Sequence, residues 1–549
     1  MAVALPLTSS AKAAEYRAAG LWSDRTLAER FLGHAARLPD KTALVVGEKR
    51  ATYAQLRDDV LRTARGLLER GLQPGDIVAG QLPNAAEMPV LHLACNVAGL
   101  LYMPLHDSWR ALEVRHLLAQ ARVRVLVSHH VYRGFDHAAM VAGFRAELPD
   151  LNTHFTLGGA PAGAGVEPYE NLAHAEPLDH AAILAHRPDP DLPAAIMLSS
   201  GTTAISKISR FSSNDLQAML DMVRDRAGVG ESDIAGGLAP AGTGATGYVF
   251  PVLLPLLNGA TSVLLPLWGD PEEAADMLVR ERCTTATAIP TQLVKMVPAL
   301  RGRSRDDFAH LRVVTNAGAP LPYETAVEVE ELTGAVIQSI YGATDAGTPT
   351  ATAWDDPREK RLRTVGRVAP GAECEIRGPD GKSLPAGCEG EVTWRTPDKS
   401  WGYLGDDRQT AAVFDADHFY RSGDLGQLDE QGYLRIVGRI KDMILRGGRN
   451  ISPLVIEEAL RRHPQVHDVA VAGIPDPVLG ERACAFVIQR EGPALQLAEI
   501  VAFLRGEDLA TWQLPERLEL LDEFPQSAGG KIQKGALTEL VARKLGAGE

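Results

Sequence analysis

Apolar positions along most of the chain fall into two alternating rhythms. Segments such as LAERFLGHAARLP and YAQLRDDVLRTARGLLERG place apolar residues every three or four positions, the spacing of one face of an α-helix. Short β-rich runs, TALVVG and DIVAGQLP, stand between them. Strands alternating with amphipathic helices predict parallel-rich sheets covered by helices, an α/β fold. This texture holds from Thr26 to about Gly438.

Near Tyr433 the texture changes. YLRIVGRIKDMILRGGRNISP sets β-rich pieces around a Gly-Gly turn. The helix VIEEALRRHP, the strands VHDVAVAGIP and RACAFVIQRE, a helix over LAEIVAFLRGEDLA, the strand ERLELLDEFP, a turn SAGGK and a terminal helix follow. These elements predict a small α+β domain of about 110 residues, within the usual domain range.

The run Val249 to Trp268 (VFPVLLPLLNGATSVLLPLW) has the length of a membrane span. Its three prolines and internal NGATS instead predict a buried helix, a turn and a strand within a large core. No membrane span is expected.

Composition narrows the function classes. The 549 residues are 45% hydrophobic and 23% charged, ordinary for a globular protein, and the net charge of -14 is spread along the chain. Nucleic acid is therefore not an expected partner. Five cysteines, Cys95, Cys283, Cys374, Cys388 and Cys484, lie far apart with no CxxC pair, which points to neither zinc nor a disulfide framework. With no basic residues ahead of its short apolar start, the N-terminus is not expected to be a signal peptide. A reducing cytoplasm fits this usage.

Two motifs look like chemistry and are weak. GTGATG at Gly242 to Gly247 is a formal GxGxxG, but the preceding GGLAPA is a poor strand for a dinucleotide fingerprint. His463 and His467 in HPQVH lack the neighbouring glutamate of a zinc helix.

SSGTTAISKIS at Ser199 to Ser209 offers hydroxyls, small residues and one lysine after an apolar run. These are the ingredients of a phosphate cradle, although a polar surface turn has the same composition and no Walker GxxxxGK[ST] is present. Read with NAGAP (Asn316 to Pro320), SIYGATDAG (Ser339 to Gly347), YRSGDLG (Tyr420 to Gly426), GRIKDMILRGGRNISP (Gly438 to Pro453) and GGKIQKG (Gly529 to Gly535), the segment acquires a context. In this order the motifs make the chain resemble the adenylate-forming superfamily over roughly residues 26 to 545: acyl- and aryl-CoA synthetases, aryl-acid adenylating enzymes and nonribosomal adenylation domains.

The resemblance implies an AMP-binding N-terminal domain, residues 1–439, and a mobile C-terminal lid, 440–549, hinged near Lys441. It implies activation of a carboxylic acid by ATP and Mg²⁺ to an acyl-adenylate, followed by transfer to the thiol of CoA or of phosphopantetheine. By the same token Ser199, Ser200, Gly201, Thr202, Thr203 and Lys207 form the phosphate loop, with Thr202 on the phosphates. The family's usual Gly-x-Pro-Lys-Gly tail here reads Ala204-Ile205-Ser206-Lys207-Ile208, so a less mobile loop is expected. Gly318, Ala319 and Pro320 would face adenine, Tyr341 would stack on it, and Ser339, Gly342 and Thr344 would complete the nucleotide site. Asp345 stands where the family usually has Glu as Mg²⁺ ligand. Asp424 would hold the ribose with help from Arg439. Lys531 matches the catalytic lysine, although taken alone it is also a solvated turn lysine. Gly447, Gly448 and Arg449 would line the thiol tunnel.

The same alignment puts the acid pocket at Thr243, Gly244, Ala245, Tyr248, Val249, Asn316, Ala343, Ala346 and Thr348. Asn316 is open between a bond to the acid and a bond to backbone. Small side chains and the absence of an ammonium-binding Asp favour a bulky, uncharged acid, aromatic or alicyclic. Three readings remain: a CoA ligase, a stand-alone enzyme loading a carrier protein in siderophore or natural-product assembly, and an inactive nucleotide-binding relative. The resemblance also leaves a homodimer open.

Overall fold

The computed structural model describes residues 8–159, 165–173, 176–199, 206–242, 244–526 and 532–546. Two large sheets organise the chain up to Val368, one of nine strands and one of seven. In the nine-stranded sheet the strands Thr42–Val46, Thr261–Leu264, Ile234–Gly237, Thr285–Ala288, Val313–Ala317 and Val336–Ala343 run parallel, and antiparallel strands close both edges. The seven-stranded sheet is parallel except for Lys207–Ser212, which folds back antiparallel on Pro193–Ser199.

Helices Leu27–Arg37, Tyr53–Glu69, Glu87–Val97 and Ser213–Ala227 bury their apolar faces in one cluster with strands of both sheets, Leu44 and Ile340 from one, Val78 and Met197 from the other. They are the shared middle layer. Glu87–Val97 is buried from Met88 to Val97, as expected of a helix apolar all round. Capping boxes start three of these helices, at Thr26 with Glu29, Thr52 with Gln55 and Ser212 with Asp215. Helices Pro271–Arg280 and Pro290–Arg301 cover the outer face of the nine-stranded sheet, and Ala111–Ala121 and His137–Phe144 that of the seven-stranded one.

The apolar run from Val249 becomes part of a π-helix, Ala245–Leu253, a short helix Leu254–Leu256, a turn and the strand Thr261–Leu264. Pro251 lies inside the π-helix, where its missing N–H and ring fit the wider turn better than an α-helical one. Among the described residues no helix is long and apolar enough to cross a membrane.

A four-stranded antiparallel sheet follows, ending on Tyr420–Leu428 and Leu434–Arg439. By texture the latter strand reads as the start of the small C-terminal unit, whereas the 439/440 boundary implied by the resemblance leaves it with the N-terminal domain; its pairing with Tyr420–Leu428 sets it in this sheet. Ile444–Arg446 begins a separate five-stranded sheet, with helices Pro453–Leu460 and Leu497–Gly506 in one apolar cluster and Lys534–Gly546 in another.

Candidate active site

The carboxyl ends of Val313–Ala317 and Val336–Ala343 lie side by side, with Ala317 opposite Ile340. Crevices at such ends bind ligands in α/β sheets because loops and helix termini converge there. Gly318 leaves the first strand at φ +93°, a conformation open to glycine, and Gly318, Ala319 and Pro320 are exposed. Asn316, one turn inward, is buried, and its Nδ2 donates to the Gln338 carbonyl and to Ser339 Oγ, each at 3.1 Å. Both hydrogens of that amide are thus taken up by the neighbouring strand.

Asp345 lies just beyond the second strand and is buried. Its carboxylate accepts a hydrogen bond from Tyr403 Oη, and its carbonyl accepts one from Ser400 Oγ. The segment carrying both donors runs beside Lys207–Ser212: the Trp401 N–H donates to the Arg210 carbonyl at 2.9 Å and the Leu404 N–H to that of Ile208 at 2.8 Å. Lys207 Nζ lies 3.4 Å from Tyr403 Oη and 4.5 Å from the ring centroid, within cation–π range. Lys207, Tyr403 and Asp345 thus form one chain of contacts. Burial and then the Asp345 charge hold the Tyr403 phenol well above its ordinary pKa, so it stays protonated and donates. Ser199 closes the preceding strand with its Oγ buried and, among the described residues, unpartnered. Ser200, Gly201, Thr202, Thr203, Thr243 and Lys531 lie outside the described residues.

A second constellation surrounds Asp424. This residue sits directly opposite Arg439 on paired antiparallel strands. Arg439 Nε donates to Asp424 Oδ1 and Tyr341 Oη to Oδ2, both at 2.7 Å. Each oxygen keeps a lone-pair site for a further donor, which is what binding the two hydroxyls of a ribose requires. Trp394 packs edge-on against Tyr341, with ring centroids 5.5 Å apart. Burial and the neighbouring Asp424 raise the Tyr341 phenol well above its usual pKa.

Gly242 and Gly244 have structural reasons to be glycine. A Cβ at Gly242 would fall 2.6 Å from His106 Cα, and Gly244 has φ +68°. Beyond them lies a narrow cavity of about 20 Å³ whose lining includes His92, Met197, Gly242, Gly244, Tyr248 and Val249. Of the expected pocket residues, Gly244, Tyr248 and Val249 line it; Ala245, Asn316, Ala343, Ala346 and Thr348 do not. The Ala346 carbonyl accepts from Trp394 Nε1 at 2.8 Å and the Thr348 N–H donates to Asp398 Oδ2 at 2.9 Å. These two residues are committed to the neighbouring four-stranded sheet and its exit segment, because the chain reverses at Gly347 into the antiparallel strand Gly347–Ala351. His92 and Tyr403 escaped the sequence reading: a histidine in an apolar helix and a tyrosine far from the motifs carry no periodic signal.

Lys441 lies in the short turn Ile440–Asp442 between the four- and five-stranded sheets; its side chain is exposed, and partial desolvation by its surroundings lowers its ammonium pKa. With Glu391, Arg421, Ser422, Gly423 and Arg439 it lines an open cavity of about 270 Å³. Gly447 and Gly448, at φ +54° and +79°, turn Ile444–Arg446 into Arg449–Ile451, and the Arg449 guanidinium stands 5.4 Å from the Trp512 ring centroid.

Comparison with known proteins places the chain in a family. The "AMP-binding enzyme" family matches residues 31–404, and its C-terminal domain matches 455–531. A medium-chain fatty-acid–CoA ligase of Escherichia coli K12 is 32% identical over 548 residues, covering 99% of this chain and 95% of that protein. The 2,3-dihydroxybenzoate-AMP ligase of Bacillus subtilis 168 is 31% identical over 536 residues, covering 97% of each. Among solved structures, ATP-bound MatB from Rhodopseudomonas palustris superposes with a TM-score of 0.82 at 28% identity, over 93% of this chain and 98% of that one. With a match across two thirds of its length and relatives above 30% identity end to end, the chain belongs to the AMP-binding enzyme family.

Proposed function

We propose that the chain activates a hydrophobic carboxylic acid, aromatic or alicyclic, with ATP and passes the acyl group to the thiol of CoA. In the first half-reaction a carboxylate oxygen attacks the α-phosphorus and pyrophosphate leaves; in the second the thiolate sulfur attacks the acyl carbon and AMP leaves. One observation carries this reading: the apolar cavity and the nucleotide crevice share a wall. A Cβ at Gly244 would lie 3.7 Å from Thr344 Oγ1, and one at Gly318 would lie 4.0 Å from Thr246 Oγ1. The cavity of about 20 Å³ must widen to admit a ring acid; an acid that enters it below Gly244 would direct its carboxylate toward a nucleotide held by Tyr341, Asp424 and Arg439, the approach an in-line attack needs.

Asp345 suits Mg²⁺, a hard cation that prefers one or two carboxylates together with substrate phosphates to an all-protein cage. When bound, the ion neutralises triphosphate charge. Tyr403 meanwhile orients the Asp345 carboxylate, and Lys207 supplies positive charge at the base of the phosphate loop. Lys531 would stabilise the charge that gathers between carboxylate and α-phosphate. The lid, residues 440–549, would turn about Lys441 to bring Gly447, Gly448 and Arg449 to a pantetheine channel, so that one site serves both half-reactions. All five cysteines are free, which supports a cytoplasmic setting.

Acid-dependent pyrophosphate release over a panel of aromatic and alicyclic acids, followed by mass detection of the CoA thioester, tests the proposal. No release with any acid would leave an inactive nucleotide-binding relative; a thioester on a carrier protein but never on CoA would select the carrier-loading alternative. Lys531→Ala is expected to abolish adenylate formation nearly completely while sparing transfer from preformed adenylate. Equal loss in both half-reactions would overturn its role.

A further inference from the structure

The inner end of the acid cavity carries a polar pair that an apolar ligand would leave unused. His92 projects from the buried helix Glu87–Val97 and is 3% exposed. Its Nδ1 lies 2.9 Å from Tyr248 Oη, and the two rings stack with centroids 5.5 Å apart and planes 24° from parallel. Tyr102 tilts against both rings, at 5.1 and 6.3 Å. His92 Nε2, the other ring nitrogen, is buried with no partner among the described residues, an arrangement that folded proteins rarely tolerate unless something fills it.

Burial lowers the imidazole pKa to about 3, so His92 is neutral, with one nitrogen donating and the other accepting. If Tyr248 Oη donates to Nδ1, Nε2 carries the proton and is a free donor beside the cavity that His92 lines. If Nδ1 instead donates to Tyr248 Oη, Nε2 accepts. Either way the free nitrogen suits an uncharged oxygen. Met197, Leu216, Val249 and Leu253 among the remaining lining are apolar, so they offer no competing polar partner from their side chains.

We propose that His92, held by Tyr248, recognises a hydroxyl or carbonyl oxygen at the end of the acid remote from its carboxylate, making an oxygen-tipped ring acid the preferred substrate class. This rests on the acid-activation reading above and narrows it. A site built to pair with a hydroxyl rejects the analogue lacking it far more strongly than an apolar pocket rejects an added methyl group. The cavity of about 20 Å³ is also enough for one trapped water, and a water held there permanently would give no such selectivity.

The test compares kcat/KM for acid-dependent pyrophosphate release on matched acids: 4-hydroxybenzoate with 4-methylbenzoate, and 4-hydroxycyclohexanecarboxylate with 4-methylcyclohexanecarboxylate. The hydroxy acid is expected to exceed its methyl partner at least about ten-fold in one scaffold. That ratio is expected to collapse toward unity in both His92→Phe and Tyr248→Phe. A wild-type ratio at or below one in both scaffolds, with clear turnover of the methyl acids, overturns this inference and leaves acid activation standing. A wild-type preference that survives unchanged in both variants overturns it as well. Turnover of no acid at all removes the acid-activation reading and this one with it. The wild-type comparison needs no variant, so a variant that folds poorly does not decide the matter.

Discussion

The contact between Tyr403 and Asp345 is open to a quantitative test before any substrate is known. Both residues are buried, at 4% and 6% exposure, and the phenol donates to the carboxylate. A hydrogen bond to a charged group contributes about 1.5 to 3 kcal/mol, and a buried carboxylate deprived of its donor adds a desolvation cost of similar order. Tyr403→Phe should therefore destabilise the protein by about 2 kcal/mol while keeping the ring beneath Lys207. Asp345→Ala should cost a comparable amount by leaving the buried phenol O–H without its acceptor. Because both variants break the same bond, the double variant should cost much less than their sum, with a coupling energy of about 2 kcal/mol. Urea unfolding at pH 7.5 without nucleotide, followed by tryptophan fluorescence, provides the assay; Trp394 and Trp401 lie in the segments concerned. Additive losses, with coupling under about 0.5 kcal/mol, would refute the claim that Tyr403 holds Asp345 in place.

Two further outcomes follow from the same geometry. Asp424→Asn should lower kcat/KM for ATP about 10- to 100-fold, because one charge-assisted contact of about 1.5 to 3 kcal/mol is weakened; an unchanged ATP dependence in pyrophosphate release would exclude the ribose role. Lys399 is buried, and burial pushes its ammonium from the ordinary 10.5 down to about 8. Between those values the unfolded chain holds a proton that the fold does not, so stability rises with pH from about 8 to 10.5, and at pH 7 the full penalty is present. Lys399→Met should accordingly stabilise the protein at pH 7 by about 3 kcal/mol, at 1.36 kcal/mol per pKa unit, with a smaller gain at pH 10; no gain at pH 7, or a gain that grows with pH, would refute this.

Much of the architecture is legible in local patterns. Helix Leu27–Arg37 is marked by its apolar spacing and by Thr26 with Glu29, both properties of neighbouring residues. The prolines and NGATS that interrupt the apolar run from Val249 foretell its division into helix, turn and strand. Pairing is less legible. Leu434–Arg439 has the composition of the strands after it, so texture alone misplaces it, and its partner across the sheet is what sets it in the four-stranded sheet. The site divides along the same line: Asp424 and Arg439 lie 15 positions apart within recognisable motifs, whereas Lys207 and Tyr403 are separated by 196. His92 and Tyr248 stand 156 apart, and a neutral histidine in an apolar helix reads as core until the ring beside it is seen.

The π-helix Ala245–Leu253 has a consequence for how such a pocket can change. A wide helix is an ordinary one carrying a surplus residue per turn, and each residue of an α-helix accounts for about 100° of rotation. Deleting Val249, between Tyr248 and the core residues after it, would let the segment relax to α-helical winding while Phe250, Val252 and Leu253 kept their places in the core. Tyr248 would then swing by roughly a quarter turn away from His92. One codon lost there would re-aim the inner wall of the cavity at a stroke, a larger step in ligand preference than a point substitution can take.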